Sequence, residues 1–289
     1  MARVQRRGGG QVSATAERAQ QGARESVDDA AIATLIGEYG DSDGVLRLPP
    51  VALVIAAYNE EAGLGPVLDA LPATACGLDV AKIVVVDGAS DETAKIARKH
   101  GAIVADVPVN RGQGAALRLG YRIAREGGAA YVVTTDADGQ YDPAEVEVVL
   151  RPIVDDEADF VTGSRRLGRQ ETDDMVRHIG VRVFATLVST LTGQRITDTS
   201  FGLRAMRAEV TGNVRLSQPQ YQSSELLIGV LARGYRVREV PGAMLKRNAG
   251  SSKKGNNLLY GYRYARVVLG TWSRERRGRP EVSRSANRT

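Results

Sequence analysis

The sequence is poor in the residues that form disulfides, nitrogen–sulfur metal sites and membrane spans. Of its 289 residues, one is cysteine (Cys76) and two are histidine (His100 and His178). A single cysteine excludes an intramolecular disulfide and is typical of a reducing, cytoplasmic setting. No apolar run reaches the roughly 20 residues that a spanning helix needs, and the arginine-containing N-terminus lacks the apolar core of a signal peptide. We therefore expect a cytoplasmic protein without a membrane span.

Charge is unevenly distributed along the chain. The segment 246–289 contains 12 Lys and Arg residues against 2 Glu, a net charge of +10, whereas the whole chain carries +5. Residues 1–245 therefore carry −5. A basic end on a mildly acidic body indicates an anionic partner, which could be nucleic acid, an anionic membrane surface or a phosphorylated substrate.

Composition divides the chain into three parts. Residues 1–25 have almost no large apolar side chains, so we expect disorder there, followed by a short helix over 27–38. We accordingly predict a largely disordered N-terminal arm over 1–48 and a globular domain over 49–245. A basic C-terminal segment over 246–289 would contain a helix near 258–272 and a disordered tail.

Strand-like and helix-like patterns alternate from residue 51 onward. The apolar runs VALVIAA, KIVVVDG, AIVADV and AAYVVTTD are each followed by a helical pattern, and DFVTGS follows the last helix. This alternation predicts an α/β protein with a mainly parallel sheet and helices on both faces. Beyond about residue 175 it breaks down, and helices near 176–192 and 222–233 are expected to flank a loop over 198–202.

Polar motifs follow three of the predicted strands. Ligands of parallel sheets bind at the carboxyl ends of the strands, so motifs at those positions are candidate site residues. The motifs are Tyr58-Asn59-Glu60, the segment 87–91 that begins with Asp87, and Asp136-Ala137-Asp138.

The pair Asp136 and Asp138 indicates a cation site. Side chains i and i+2 of an extended strand point the same way, and two adjacent carboxylates repel each other unless a cation lies between them. With the amide oxygen of Gln140 they form an all-oxygen ligand set, which suits Mg²⁺ or Mn²⁺ and argues against Zn²⁺. Because Mg²⁺ usually completes its shell with substrate phosphates, we expect the ion to carry a nucleotide diphosphate. An isolated pair of this kind is more often a turn that ends a strand.

Two further segments allow two interpretations each. Asp87 could accept hydrogen bonds from a base or ribose, although it could also cap the next helix, a role that suits Ser90 and Asp91 better. The glycine-containing segment 110–114 could present its N–H groups to phosphate or simply start a helix.

Taken together, the motifs resemble those of the family-2 glycosyltransferases with a GT-A fold. The stretches concerned are VIAAYNEE, VVVDGASDET, NRGQGAAL, TTDADGQYDP, GSRR, DTSFGLRA and KRNAGSSK, which span residues 51–272 approximately. Within that family the chain is most similar to the polyprenyl-phosphate and dolichyl-phosphate sugar synthases. The resemblance implies inverting, metal-dependent transfer from a nucleotide-diphosphate sugar to a polyprenyl phosphate. A transferase acting on a soluble hydroxyl acceptor, on a small metabolite or a protein, is the alternative.

The resemblance also implies roles for individual residues. Donor-binding roles fall on Ala57, Tyr58, Glu60, Asp87, Asp136, Ala137 and Lys253. Metal ligands would be Asp136, Asp138 and Gln140. Catalytic roles fall on Asp138, on Arg165 and Arg177 at the acceptor phosphate, on Arg247 over the donor diphosphate, and on Asp198. The chain departs from the family pattern at Gly88, where many members have an acidic residue, and at Leu203, where many have phenylalanine.

The role of Asp198 depends on the acceptor. A phosphate acceptor is already anionic and needs no base, whereas a hydroxyl acceptor needs a carboxylate to take its proton. Asp198 is therefore either that base or a residue that holds the turn 199–202 by hydrogen bonds. Glu225 could orient the acceptor, or it could serve only the dipole of its helix.

Two other function classes fit less well. A dinucleotide-dependent oxidoreductase would have Gly-x-Gly-x-x-Gly after its first strand, where this chain reads AYNEEAG. A nucleic-acid binder would not place acidic residues at three strand ends, so we expect no nucleic-acid partner. The resemblance favours UDP-sugars over GDP-mannose by a small margin and leaves oligomeric state open.

The C-terminal helix is predicted to be amphipathic. At 100° per residue, one stripe contains Leu258, Tyr262, Ala265, Val268, Leu269 and Trp272. This helix could simply pack on the core. Alternatively, with the basic tail, it could lie on an anionic membrane surface, which would make the protein peripheral to the inner face of the membrane.

Overall fold

The computed structural model describes residues 9–170, 175–218, 221–245 and 257–277. Its strands are β1 Val51–Ala57, β2 Thr74–Ala75, β3 Leu78–Asp87, β4 Ile103–Val107, β5 Tyr131–Asp136, β6 Phe160–Gln170, β7 Arg204–Arg207 and β8 Val237–Met244. Its helices are α1 Gly9–Tyr39, α2 Leu64–Ala70, α3 Thr93–Lys99, α4 Gln113–Glu126, α5 Glu145–Val154, α6 Met175–Thr192, α7 Ala208–Asn213, α8 Gln222–Ala232 and α9 Asn257–Arg277.

One mixed sheet organises the described residues. Strands β4, β3, β1 and β5 are adjacent and parallel, β7 pairs antiparallel with both β5 and β6, and β6 pairs in parallel with β8. The short strand β2 pairs antiparallel with β3. The carboxyl ends of β1, β3, β4 and β5 therefore lie at one edge of the sheet, as parallel pairing requires, and the prediction of a mainly parallel sheet is confirmed.

Both faces of the sheet are buried. In β1, Ala52 and Val54 belong to a core cluster that includes residues of α4, α8 and α9, whereas Leu53 and Ile55 belong to a cluster on the other face with residues of α2 and α5. Successive side chains of a strand point to opposite faces, so a strand covered on both sides needs apolar residues at every position. This explains the unbroken run VALVIAA.

The N-terminal helix is longer than the sequence predicts. We expected a helix over 27–38 and disorder over 1–25, but α1 already begins at Gly9. The buried side chains near its C-terminal end, Ala31, Ile32 and Leu35, pack into the core. Adding residues to an established helix is much easier than starting one, so this anchored end can propagate through the Ala-, Gln- and Glu-containing stretch before it.

The predicted apolar stripe of the C-terminal helix is only partly buried. Val268 is buried, but Tyr262 and Leu269 are 67% and 47% exposed. The buried face instead includes Tyr264 and Glu275, because polar partners compensate their burial. The hydroxyls of Tyr264 and Thr199 lie 2.6 Å apart, and Glu275 pairs with Arg233 and Arg274. None of the described helices is both long and apolar enough to cross a membrane.

Candidate active site

The loops after β1 and β3 are tied together by side chain to backbone hydrogen bonds. Asn59, whose φ is +53°, accepts a hydrogen bond from the Ser90 N–H at 2.9 Å, and the Glu60 N–H donates to Thr93 Oγ1 at 2.9 Å. Tyr58 is exposed at this edge, whereas Ala57 is buried. The structure thus brings the predicted segment 57–60 next to the loop that follows Asp87.

Asp87 is buried at the end of β3. Its Oδ2 accepts hydrogen bonds from the backbone N–H groups of Arg111 at 2.9 Å and Gly112 at 2.6 Å. Its buried Oδ1 has no hydrogen-bond partner among the described residues. Burial raises the pKa of Asp87, although the two N–H donors oppose this rise. These N–H groups, which could have met a phosphate, therefore hold a carboxylate instead and leave one of its oxygens available.

Gly88 is required by the close approach of this same loop. Its φ is +67°, and a Cβ at this position would overlap the backbone nitrogen of Asn110. The departure from the family pattern at residue 88 thus has a steric cause, because any side chain here would displace the segment 110–112 from Asp87.

The local backbone at Asp136 and Asp138 differs from the extended strand that the sequence predicts. Strand β5 ends at Asp136, and Asp138 lies in a turn that continues through Gly139, whose φ is +71°. The alternation of an extended strand therefore does not apply, and the turn positions the second carboxylate. Asp136 Oδ1 accepts a hydrogen bond from Gln113 Nε2 at 3.0 Å, and Asp138 Oδ1 accepts one from the Gln140 N–H at 3.2 Å.

The carboxylates of this turn suit a divalent metal ion that also binds oxygen atoms of a substrate. Among the described residues there is no group of three or more His, Cys, Asp or Glu side chains that could hold a metal. Two half-exposed carboxylates, Asp136 and Asp138, suit Mg²⁺ or Mn²⁺, because such ions commonly take one or two carboxylates and fill the remaining positions with water and phosphate oxygens. Ala137, between them, is buried.

Gln140 has a structural contact that the sequence does not reveal. Its side chain is buried and its Nε2 donates to the Leu245 carbonyl at 3.2 Å, while the Leu245 N–H donates to the Gln140 carbonyl at 2.9 Å. These bonds fasten the end of β8 to the turn after β5. A role of Gln140 as a metal ligand stays a prediction.

Gly202 is packed against the carboxylate turn. A Cβ on Gly202 would lie 2.6 Å from Asp136 Oδ2 and 2.7 Å from the Tyr141 hydroxyl, which accepts a hydrogen bond from the Gly202 N–H at 2.8 Å. Phe201 packs edge-on against Tyr141, with ring centroids 4.8 Å apart. Burial raises the pKa of Tyr141, so its phenol stays protonated. The loop 198–202 therefore forms one wall beside Asp136.

Arg165 and Asp198 form a buried ion pair, which argues against the two roles predicted for them. Their side chains are 3% and 0% exposed, Arg165 Nε donates to Asp198 Oδ2 at 2.6 Å, and Nη2 donates to Oδ1 at 3.2 Å. The Ser200 N–H donates to the same carboxylate at 3.0 Å. Arg165 is thus not presented to an acceptor phosphate, and Asp198 is not placed to take a proton. The geometry corresponds instead to the alternative in which Asp198 holds its turn.

Two more carboxylates, the buried Glu225 and the partly buried Glu239, serve as backbone acceptors. Glu239 accepts hydrogen bonds from the N–H groups of Thr197 and Asp198, each at 2.8 Å at the closest oxygen, and burial raises its pKa. Glu225 accepts the Ser217 N–H at 2.9 Å and also pairs with Arg274 of α9 at 3.1 Å. Glu225 therefore joins a loop to α9 and is not directed at an acceptor.

Sequence reasoning missed Gln113, Tyr141 and Glu239, whose roles depend on contacts between distant segments. The motif NRGQG contains a signal for Gln113 alone, since it places a polar side chain at the start of α4. Of the predicted arginines, Arg177 lies in α6 but its side chain is outside the described part. Arg247 and the predicted Lys253 lie outside the described residues.

Comparison with known proteins identifies the class of enzyme. Residues 52–215 match the family described as glycosyl transferase family 2. A dolichyl-phosphate hexose transferase from Haloferax volcanii is 35% identical over 208 residues, which cover 70% of this chain and 86% of that protein. A UDP-N-acetylglucosamine–dolichyl-phosphate N-acetylglucosaminyltransferase from Methanococcus voltae is 28% identical, covering 74% and 92%.

The fold comparison agrees. The crystal structure of glucosyl-3-phosphoglycerate synthase from Mycobacterium tuberculosis in complex with Mn²⁺, UDP and glucosyl-3-phosphoglycerate matches with a TM-score of 0.63. The match is 21% identical and covers 78% of this chain and 80% of that chain. The predicted GT-A fold is confirmed. The chain belongs to glycosyltransferase family 2, and it is a glycosyltransferase.

Proposed function

We propose that this enzyme transfers a sugar, with inversion, from a nucleotide-diphosphate sugar to a polyprenyl phosphate. The observation that carries the donor part is the segment 110–113, which connects the two carboxylate sites. Its backbone N–H groups bind Asp87, and the side chain of Gln113 binds Asp136. This arrangement supports a ligand that has a base at one end and a diphosphate with its metal ion at the other.

The hydrogen-bonding groups around Asp87 favour uracil as the base. Because Oδ2 is already occupied by two N–H groups, Asp87 offers one free acceptor, Oδ1. Arg111 Nε and Nη2 are buried donors without hydrogen-bond partners among the described residues. Uracil presents one N–H between two carbonyl oxygens, which suits one acceptor beside donors, whereas guanine presents two adjacent N–H donors that a carboxylate would meet with both oxygens. We therefore favour a UDP-sugar.

Asp136 and Asp138 would hold the Mg²⁺ or Mn²⁺ ion, which would neutralise charge on the departing diphosphate. In the proposed reaction, a phosphate oxygen of the acceptor bonds to the anomeric carbon as the bond between that carbon and the diphosphate breaks. The attacking oxygen is already anionic, so no side chain needs to remove a proton. Under this proposal Arg165 and Asp198 are positioning residues that fix the loop beside Asp136.

The lipid acceptor is supported by the relatives named for dolichyl phosphate and by the outer face of α9. That face exposes Tyr262 and Leu269 together with Arg263 and Arg266. Aromatic, aliphatic and basic side chains together suit the headgroup region of an anionic membrane, and each basic residue near it contributes about 1 kcal/mol. We accordingly propose that the enzyme works in the cytoplasm at the inner face of the membrane.

The test of function measures sugar transfer from UDP-sugars to polyprenyl phosphate in vesicles and to soluble phosphate or hydroxyl acceptors in parallel. We expect transfer to the lipid that needs Mn²⁺ or Mg²⁺, is lost with EDTA, and is lost in Asp138→Asn although the protein stays folded. Transfer to soluble acceptors alone would favour the alternative function. Equal UDP affinity with Mn²⁺ and with EDTA would refute the metal site.

Membrane binding is tested separately by co-sedimentation with anionic vesicles. We expect binding that weakens with added salt and falls when the exposed Arg263 and Arg266 of α9 are both replaced by glutamine. Protein that remains in the supernatant at low salt would contradict the membrane location.

A further inference from the structure

We propose that Asp28 of α1 is a positioning residue of the donor site, because it holds Arg111 away from the oxygen of Asp87 that receives the base. This inference rests on the proposed function, in which Asp87 binds the base. Helix α1 lies outside residues 52–215, which match the family.

The side chain of Arg111 lies between two carboxylates and is hydrogen-bonded to only one of them. Its Nη1 donates to Asp28 Oδ1 at 2.7 Å, whereas its Nε is 3.8 Å from Asp87 Oδ1, beyond hydrogen-bonding distance. The side chains of Asp87, Arg111 and Asp28 are 4%, 13% and 19% exposed, so water screens these charges poorly.

This geometry leaves three buried polar atoms side by side with no hydrogen-bond partner among the described residues. They are Asp87 Oδ1, Arg111 Nε and Arg111 Nη2. Native proteins leave few buried polar atoms unpaired, since each costs roughly 1–3 kcal/mol. One acceptor and two donors left together therefore point to a ligand that supplies the missing partners.

The hydrogen bond to Asp28 keeps the guanidinium of Arg111 apart from Asp87 Oδ1. A buried guanidinium without its carboxylate partner is strongly disfavoured, and the nearest remaining carboxylate is Asp87. Without the charge of Asp28, Arg111 would close the 3.8 Å gap and bond to Asp87 Oδ1. That oxygen would then no longer be free for the N–H of the base.

Helix α1 packs against the sheet close to the loop that carries Arg111. Ala31 and Ile32 of the helix belong to the same core cluster as Ala105 and Val107 of β4, and the loop leading to Arg111 follows Val107. The helix is thus packed against the edge of the sheet at which the donor carboxylates lie.

Asp29 provides a matched control. It is the next residue of the same helix, is 60% exposed, and pairs with Arg122 at 2.6 Å. Arg122 lies on α4 and also pairs with Glu126. Removing the charge of Asp29 therefore alters the same helix by the same chemistry without touching Arg111 or Asp87.

The experiment measures binding of UDP and CDP, each with Mn²⁺, by titration calorimetry for the full-length protein and its Asp28→Asn and Asp29→Asn variants. We expect Asp28→Asn to raise the Kd of UDP by roughly five- to twentyfold and to lower the preference for UDP over CDP. Asp29→Asn should leave both unchanged. A purely structural role of Asp28 would lower the unfolding temperature without changing the preference between bases.

Three outcomes would overturn the proposal, and they are distinguishable. If the unaltered protein binds neither nucleotide, the proposed function fails and this inference fails with it. If it binds UDP and Asp28→Asn behaves like Asp29→Asn, the inference alone fails. Should Asp28→Asn not fold, the double variant Arg111→Gln, Asp28→Asn leaves no unpaired guanidinium and is compared with Arg111→Gln. We expect equal UDP affinity in that pair, and a further loss in the double variant would overturn the proposal.

Discussion

Replacing Asp198 by asparagine should lower the free energy of unfolding, and it should not abolish catalysis while leaving stability unchanged. The substitution keeps the shape of the side chain but removes the charge that faces Arg165, and both side chains are almost completely buried. Breaking a buried ion pair by removing one partner costs about 3–5 kcal/mol, because the other charge is left uncompensated. Asparagine still offers an acceptor to the Ser200 N–H, so we expect a loss near the lower end, about 3 kcal/mol.

For a domain of this size, such a loss lowers the unfolding temperature by roughly 6–12 °C. Thermal and urea unfolding of the unaltered and Asp198→Asn proteins measure it, together with kcat at a temperature where both are folded. A second variant, Arg165→Met with Asp198→Asn, removes the stranded guanidinium. The free energy of unfolding of this double variant should be about 1–2 kcal/mol higher than that of Asp198→Asn alone.

The opposite pattern would refute this reasoning. If Asp198→Asn kept the unaltered stability while kcat fell by about a hundredfold or more, Asp198 would act as a general base, and the ion pair would have to open in the working enzyme. The reasoning would also be refuted if Arg165→Met with Asp198→Asn were less stable than Asp198→Asn alone, because the Arg165 guanidinium would then not be an uncompensated charge in the single variant.

Three further predictions follow from other parts of the molecule. Gly202→Ala should raise the Kd of Mn²⁺-dependent UDP binding by about tenfold, because the added Cβ displaces Asp136. An unchanged Kd would show that the loop 198–202 can shift to accommodate the Cβ without moving Asp136. Deleting residues 1–25 should leave turnover within about twofold, as it keeps the packed end of α1; a larger loss would assign those residues a role in catalysis or assembly. Hydrogen bonds from Arg236 lower the pKa of Asp159 to about 2. This pair's contribution to the free energy of unfolding should therefore be complete above about pH 4, the pKa of an unfolded Asp, and should be lost as the pH falls towards 2. Arg236→Ala should flatten that part of the curve of unfolding free energy against pH, and an unaltered curve would contradict the assignment.

The fold was largely predictable because the signals for it are local. Each strand of the parallel core appears as an apolar run, and the helices between them have the expected period. Strand β7 escapes this reasoning, since its sequence RAMR begins and ends with arginine. Arg204 is buried there, and its Nη2 donates to the carbonyl of Phe201 three residues earlier, a local loop contact that no apolar run announces.

The candidate site was predictable in outline for an equally simple reason. Parallel strands end at one edge of a sheet, so polar residues after β1, β3 and β5 had to lie near one another. What the sequence could not provide is which charges neutralise each other inside the protein. Arg165 and Asp198 are 33 residues apart and meet only because the loop after α6 returns to β6. A charged motif residue therefore looks like a ligand-binding group until its partner is known.

The segment 110–113 shows how the two halves of the proposed donor site depend on each other. It can approach β3 only because residue 88 is glycine, and from there it holds Asp87 with its backbone and Asp136 with Gln113. The placement of Asp87 relative to Asp136 is thus fixed by one short segment as well as by the strands. Under the proposed function, a change that moves this segment would disturb base recognition and metal binding together, although the two sites are built on different strands.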